Sequence, residues 1–244
     1  MFRTHLKNLV RLSHMVFMRT MCFGKRTIPI TATTLIIAPH PDDEVIGCGG
    51  LISRLISNGI TPHIVIMTGG EKSHVDCCKL NDEEIKSARH QLTRNALHIL
   101  GISTDHIHEL NFHDGEISPN NLNKVAELRQ LINKLRPKNI LIPHWGEGWP
   151  DHINTAQIIK QMKLANCLIW EYCVWVWYYN IWRRLDWKNA TVLKMSKKEQ
   201  RLKIKAMKAY TEPLAPCGRP WSGTLPHTFL RANQWNKELY FRVK

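Results

Sequence analysis

Two short stretches hold most of the side chains that could do chemistry: His40-Pro41-Asp42-Asp43-Glu44 and Trp149-Pro150-Asp151-His152. Imidazole nitrogen with carboxylate oxygen is an ordinary donor set for a divalent metal such as zinc, completed by a further ligand and a water. Adjacent aspartates project differently, so one of Asp42 and Asp43 can ligate while the other faces the water as a base. The blander reading makes each stretch a helix start, with Asp42 or Asp43 capping one helix, Asp151 capping another and the histidines exposed. Two such stretches after two strands of one sheet favour the metal reading. His40 and His152 then converge with one of the aspartates, and Asp151 accepts a hydrogen bond that fixes the tautomer of a ligand imidazole.

The elements that must position these residues alternate. An apolar, β-branched run over 34–38 predicts a strand, and the prolines at 39 and 41 keep the chain extended as it leaves. A helix is predicted over 45–57, stopped by Asn58-Gly59. Strand 62–67, helix 82–100, strand 108–112 with the turn Asp114-Gly115, helix 122–135, strand 139–142 and helix 152–164 follow. Alternation of this kind specifies βαβ units. The fold class is α/β, a Rossmann-like three-layer sandwich with a mostly parallel sheet and the metal site at the carboxyl ends of its strands. Beyond it lie an aromatic strand region over 168–176, a helix over 197–210 whose basic face reads as solvated, and a last strand over 238–243. Residues 167–182 carry Trp170, Trp175, Trp177 and Trp182, but Glu171 and Asn180 argue against a membrane span. Core packing is the favoured reading there, ahead of an aromatic wall to a substrate cleft.

The length of 244 residues suits one α/β domain over 31–244, preceded by a basic extension over 1–30. Lys and Arg number 34 against 20 Asp and Glu, a net charge of +14, which favours anionic partners. No zinc-finger spacing, RNP-like segment or Arg/Gly tract accompanies that charge, so nucleic acid is not expected. Residues 1–30 interleave basic with apolar residues, leaving two readings open: peripheral contact with an anionic membrane, or packing on the domain. Seven scattered cysteines in a chain of this size read as reduced thiols and a cytoplasmic location.

The segment from Ala38 to Glu44, continued by Gly47-Cys48-Gly49-Gly50, resembles the (P/A)-H-P-D-D-E signature of the PIG-L/LmbE-like N-deacetylase family. Trp149-Pro150-Asp151-His152 resembles that family's second motif, H-P-D-H, with Trp149 replacing the first histidine. Arg89, Thr68-Gly69-Gly70-Glu71 and Asp114-Gly115 resemble softer family features, and the resemblance spans about residues 33–165. It implies Zn2+ held by His40, Asp43 and His152, with Asp42 as general base and with Arg89, Asp114 and Trp149 facing substrate. The missing family histidine serves the tetrahedral intermediate or the leaving amine, and His144, or else His113, is the candidate to stand in. The implied activity removes the acetyl group from an N-acetyl amino sugar or its conjugate. The alternatives are a non-catalytic metal- and sugar-binding homologue and a metal-dependent phosphoesterase.

Overall fold

A computed structural model describes residues 2–75, 79–179 and 185–243, with side chains from residue 7 onward. The run Thr34–Ala38 forms β2, buried along its whole length. It lies between β3 (His63–Thr68) and β5 (Asn139–Pro143), parallel to both. Ile36 and Ala38 point into a core shared with α2 (Asp43–Ser57), α3 (Asp82–Ile99) and α6 (Lys197–Thr211). Leu35 and Ile37 point the other way, into a core shared with α4 (Leu122–Leu135) and α5 (Pro150–Gln161). Burial on both faces is why β2 reads as an unbroken apolar run, and it gives the three layers expected of the sequence.

The other strands are β1 (Arg26–Thr27), β4 (Ile107–Phe112), β6 (Leu168–Tyr172), β7 (Ala190–Lys194) and β8 (Lys237–Arg242), in the order β1-β7-β8-β6-β5-β2-β3-β4. From β2 the chain builds outward through β3 and β4, then returns to β5 and builds the other way. The reversal falls between β2 and β5, and open α/β sheets form their binding crevice at such a point. The sheet is mostly parallel, as expected, with β8 running antiparallel between β6 and β7. The short strand β7 and the helix α7 (His227–Asn233) were not expected.

Residues 1–30 do not stand apart. The helix α1 (Phe2–Met21) buries Met15 and Met18 in a third core with Cys173, Val176 and Trp177, and β1 extends the sheet beside β7. The basic face of α6 is not wholly solvated either. Lys203 is 2 % exposed and pairs with Glu238 at 2.7 Å. Cys22, Cys48, Cys167 and Cys173 are free thiols, whereas Cys217 is disulfide-bonded, so the expectation of a fully reduced set does not hold. Cys77, Cys78, Asn180 and Trp182 lie outside the described residues.

The glycines after the first motif are packing devices. A Cβ on Gly47 would lie 2.8 Å from Cε2 of Tyr172, whose ring is fully buried and whose hydroxyl donates to the Ile37 carbonyl at 2.9 Å. That ring has nowhere to go. In an open helix Gly→Ala gains about 0.5–1 kcal/mol. Gly47→Ala should instead destabilise by about 1–3 kcal/mol through overpacking. A thermal or urea melt reads the sign directly, and a stabilised variant would mean that α2 can lift away from β6.

Candidate functional site

Everything at the site hangs on the loop that leaves β2. Pro39 is held by Thr68 of β3, whose Oγ1 and backbone N–H both donate to the Pro39 carbonyl, at 2.9 and 3.0 Å. Arg89 of α3, almost fully buried, donates to the Pro41 carbonyl at 2.7 Å and lies 3.6 Å from Asp42. Asp42 has φ 117°, ψ −29°, a left-handed backbone that few side chains adopt, and its carboxylate makes no capping hydrogen bond to α2. Backbone strain of this kind persists where the surroundings over-determine it. The helix-cap reading of the motif therefore fails, and the Asp42 side chain turns to the cavity.

Asp43 opens α2 and directs Oδ2 at three donors: the His40 backbone N–H at 3.0 Å, His40 Nδ1 at 3.2 Å and His152 Nε2 at 3.3 Å. His152 lies in the first turn of α5, which begins two residues earlier than expected because Pro150 starts it. The remaining nitrogen of each ring also meets carboxylate. His40 Nε2 lies 3.1 Å from Asp151 and 3.2 Å from Asp114, and His152 Nδ1 lies 2.7 Å from Glu147.

Two groups of three could hold an ion, His40/Asp43/His152 and His40/Asp114/Asp151, each with donor atoms within 4.8 Å of one another. The chemistry favours the first. Asp151 already accepts the N–H groups of Gly115 and Ile117, and Asp114 that of Lys72. With the first group each imidazole offers one nitrogen to the ion and its N–H to a carboxylate, the arrangement that orients metal-bound histidines. The donor set therefore fits a divalent cation.

Glu147 escaped the sequence reading. It is fully buried, and its Oε1 accepts the successive N–H groups of Val174, Trp175 and Val176 while Oε2 holds His152. The only hint in the sequence was a carboxylate set between Gly146 and Gly148 in a strand-end loop.

These contacts shift the protonation equilibria. Burial disfavours the imidazolium of His152, but Asp43 and Glu147 outweigh it and raise the group to about 9. His40 moves the same way, burial being overcome by Asp114, Asp151 and Asp43. For Asp43 the two imidazoles overcome burial and hold the carboxyl well below its usual range. Asp42 goes up instead, through burial and the nearby Asp43 and Glu44 carboxylates, against the pull of Arg89.

The cavity has a volume of about 410 Å³ and is lined by His40, Asp42, Asp43, Arg89, Asp114, Trp149, Asp151 and His152, together with Lys72, Ser73, Trp175, Ser222 and Leu225. Trp149 and Trp175 face each other at 5.4 Å between ring centres, so part of the aromatic segment is cleft wall rather than core alone. His144 is not part of the cavity lining. It is buried beneath Trp145 and Phe241, accepts the Gly146 N–H and faces Glu171 at 3.5 Å. Burial and the Lys160 charge push it down to about 4, leaving a neutral packing residue. His113 is largely exposed, nearest Glu71.

The profile of the PIG-L family, described as GlcNAc-PI de-N-acetylase, matches residues 35–163 and takes in both motifs. The chain belongs to the PIG-L family. A curated relative, the diacetylchitobiose deacetylase of Thermococcus kodakarensis, is 36% identical over 121 residues, which are 48% of this chain and 44% of that protein. The chain thus spans under half of that relative's length. Among solved structures, the N,N'-diacetylchitobiose deacetylase of Pyrococcus horikoshii, complexed with its inhibitor MPG, superposes with a TM-score of 0.61 at 23% identity, covering 76% of this chain and 72% of that one. The A40926 pseudoaglycone deacetylase Dbv21 gives 0.67 at 18% identity, covering 86% and 96%. At such identities these two structures bear on the fold.

Two outcomes follow. Glu147→Gln keeps the shape but gives up the carboxylate behind His152, so zinc affinity should drop about 10- to 100-fold, read by competition with a chromophoric chelator. Undiminished affinity would remove Glu147 from the support of the site. In the metal-free protein the raised His152 group stabilises the fold fully below its ordinary value of about 6.5, and that contribution is lost as pH rises through about 9. The melting temperature of chelator-treated protein should fall across that window; a flat profile would mean that His152 is not held as the imidazolium.

Proposed function

We propose that the chain is a zinc-dependent hydrolase that removes the acetyl group from the nitrogen of an N-acetylated amino sugar or sugar conjugate. The observation that supports this most is the convergence of His40, Asp43 and His152, with Asp42 beside them, on one cavity in a PIG-L chain. Two imidazoles and a carboxylate form an ordinary zinc set, and the ion would activate a water and polarise the amide carbonyl.

The protein groups then divide the work. His40, Asp43 and His152 would hold the ion. Asp42 accepts the proton as the water oxygen attacks the carbonyl carbon; its raised proton affinity brings it nearer to neutral pH, where a base is most effective. Arg89 clamps the loop and limits that rise. When the carbon–nitrogen bond breaks, the electron pair goes to nitrogen and Asp42 returns the proton, releasing acetate and the free amine. Trp149 stands where the family carries a histidine, and an indole N–H only donates, so it cannot carry a proton. Proton return therefore falls to Asp42. Trp149 and Trp175 offer flat rings to the sugar, and Asp114 orients His40 while fronting the cavity.

The substitution at Trp149 favours a second reading, a sugar-binding homologue without turnover. The strained, uncapped Asp42 weighs against it, since backbone strain is retained where function needs it. The cytoplasmic location belongs to the first reading as well, with the Cys217 disulfide weighing against it.

Amine release from N-acetyl amino sugars, assayed with and without chelator, tests the proposal. Asp42→Asn should lower turnover at least about 100-fold while bound zinc stays stoichiometric. Full turnover in that variant would overturn the base assignment, and zinc binding without release from simple, nucleotide-linked or lipid-linked sugars would favour the binding reading.

A further inference from the structure

The helix α1 has two apolar faces. The inward one, Met15 and Met18 with Cys22 just beyond the helix, is buried in the third core. The outward one is left at the surface: Leu9, Leu12 and Val16, three and four residues apart and so on one stripe, are 61%, 37% and 57% exposed. Phe23, just past the helix end, is 71% exposed. An ordinary surface helix keeps such a stripe for the core and turns polar residues outward.

The surroundings of the stripe are basic. No Asp or Glu occurs in the first 41 residues, which hold Arg3, Lys7, Arg11, Arg19, Lys25 and Arg26. Neighbouring positive groups make contacts that leave their charge unneutralised. Arg11 lies over the Tyr178 ring at 4.1 Å, Arg19 over Trp235 at 5.0 Å, and Lys237 over Phe23 at 4.4 Å. Arg19 also donates to the Arg231 carbonyl at 3.5 Å, which sets two guanidinium-bearing residues side by side. An exposed apolar stripe beside Arg11, Arg19 and Lys237, which make no ion pair among the described residues, is the pattern of a helix lying in an anionic lipid interface. Among the described residues no helix is long and apolar enough to cross a membrane.

We infer that α1 docks the protein on an anionic membrane surface, with Leu9, Leu12 and Val16 in the acyl boundary and the surrounding Lys and Arg among the headgroups. The inference does not depend on the proposed chemistry. It does set where the cavity stands. Arg11 stacks on Tyr178, Tyr178 meets Trp175 edge-on at 5.9 Å, and Trp175 lines the cavity, so the aromatic wall of the cleft sits beside the docked helix.

Co-sedimentation of the full chain with phosphatidylcholine vesicles, with and without phosphatidylglycerol, tests this. The chain should pellet with the anionic vesicles and at least about tenfold less with the neutral ones, and added salt should weaken the binding. The double variant Leu9→Asp/Val16→Asp changes only exposed positions, so its melting temperature should hold while binding drops at least tenfold. Lys7→Glu alone should cost about fivefold or more at low salt. Three results would overturn the inference: no pelleting with anionic vesicles, equal pelleting of the double variant, or a wild-type dimer in sedimentation velocity that the double variant abolishes. The last would make a second copy of the chain the occupant of the stripe.

Discussion

One carboxylate oxygen, Asp43 Oδ2, receives a backbone N–H and two imidazoles from loops more than a hundred residues apart, on a side chain that is almost fully buried. A buried charge without partners costs several kcal/mol, so this oxygen demands that His40 and His152 be delivered accurately. Much of the molecule answers that demand. The parallel pairing of β2 with β5 brings the two loops to one end of the sheet, and Thr68 and Arg89 pin the first loop by its carbonyls. Glu147, fixed by three successive backbone N–H groups, aims the second imidazole. With no ion between them, the surrounding carboxylates favour the protonated form of both imidazoles.

A second buried network ties this frame to the far side of the sheet. Glu238 of β8 accepts the N–H groups of Gly50 and Leu51 within α2, along with Lys203 and Tyr240. Four donors on one carboxylate make it a well-satisfied buried anion. The helix that presents Asp43 is thereby anchored by residues from the last part of the chain.

The layers, the order of most elements and the meeting of the His40 and His152 loops were legible in the sequence because each rests on local signals, while the choice of Asp43 over Asp42 came from the resemblance to the family. Alternating apolar periods mark βαβ units, and His, Asp and Pro at fixed short spacing mark the two loops. What was not legible depends on direction and on distant partners. Glu147 and His144 are three residues apart in the same loop, yet one faces His152 and the other is folded under Phe241, and no local pattern distinguishes them. Lys203 was misread because charge on a helix usually means solvent. Its place on the stripe of Glu199, Ala206, Met207 and Tyr210 was the better guide, since that stripe is the buried one. The antiparallel β8 is a long-range pairing that spacing alone does not encode.

The cavity is assembled from two unequal parts of the chain. Among the described residues, every carboxylate in contact with the His40 and His152 imidazoles (Asp43, Asp114, Glu147 and Asp151) falls within 35–163, whereas Trp175, Ser222 and Leu225 on the cavity wall come from later in the chain. The earlier part also supplies cavity wall, through Arg89, Asp114 and Trp149, so the two parts share the lining. A protein engineer who grafts a new later part must reproduce several buried joints: Glu238 with Gly50 and Leu51 of α2, Tyr172 with the Ile37 carbonyl, and the N–H groups of Val174, Trp175 and Val176 with Glu147.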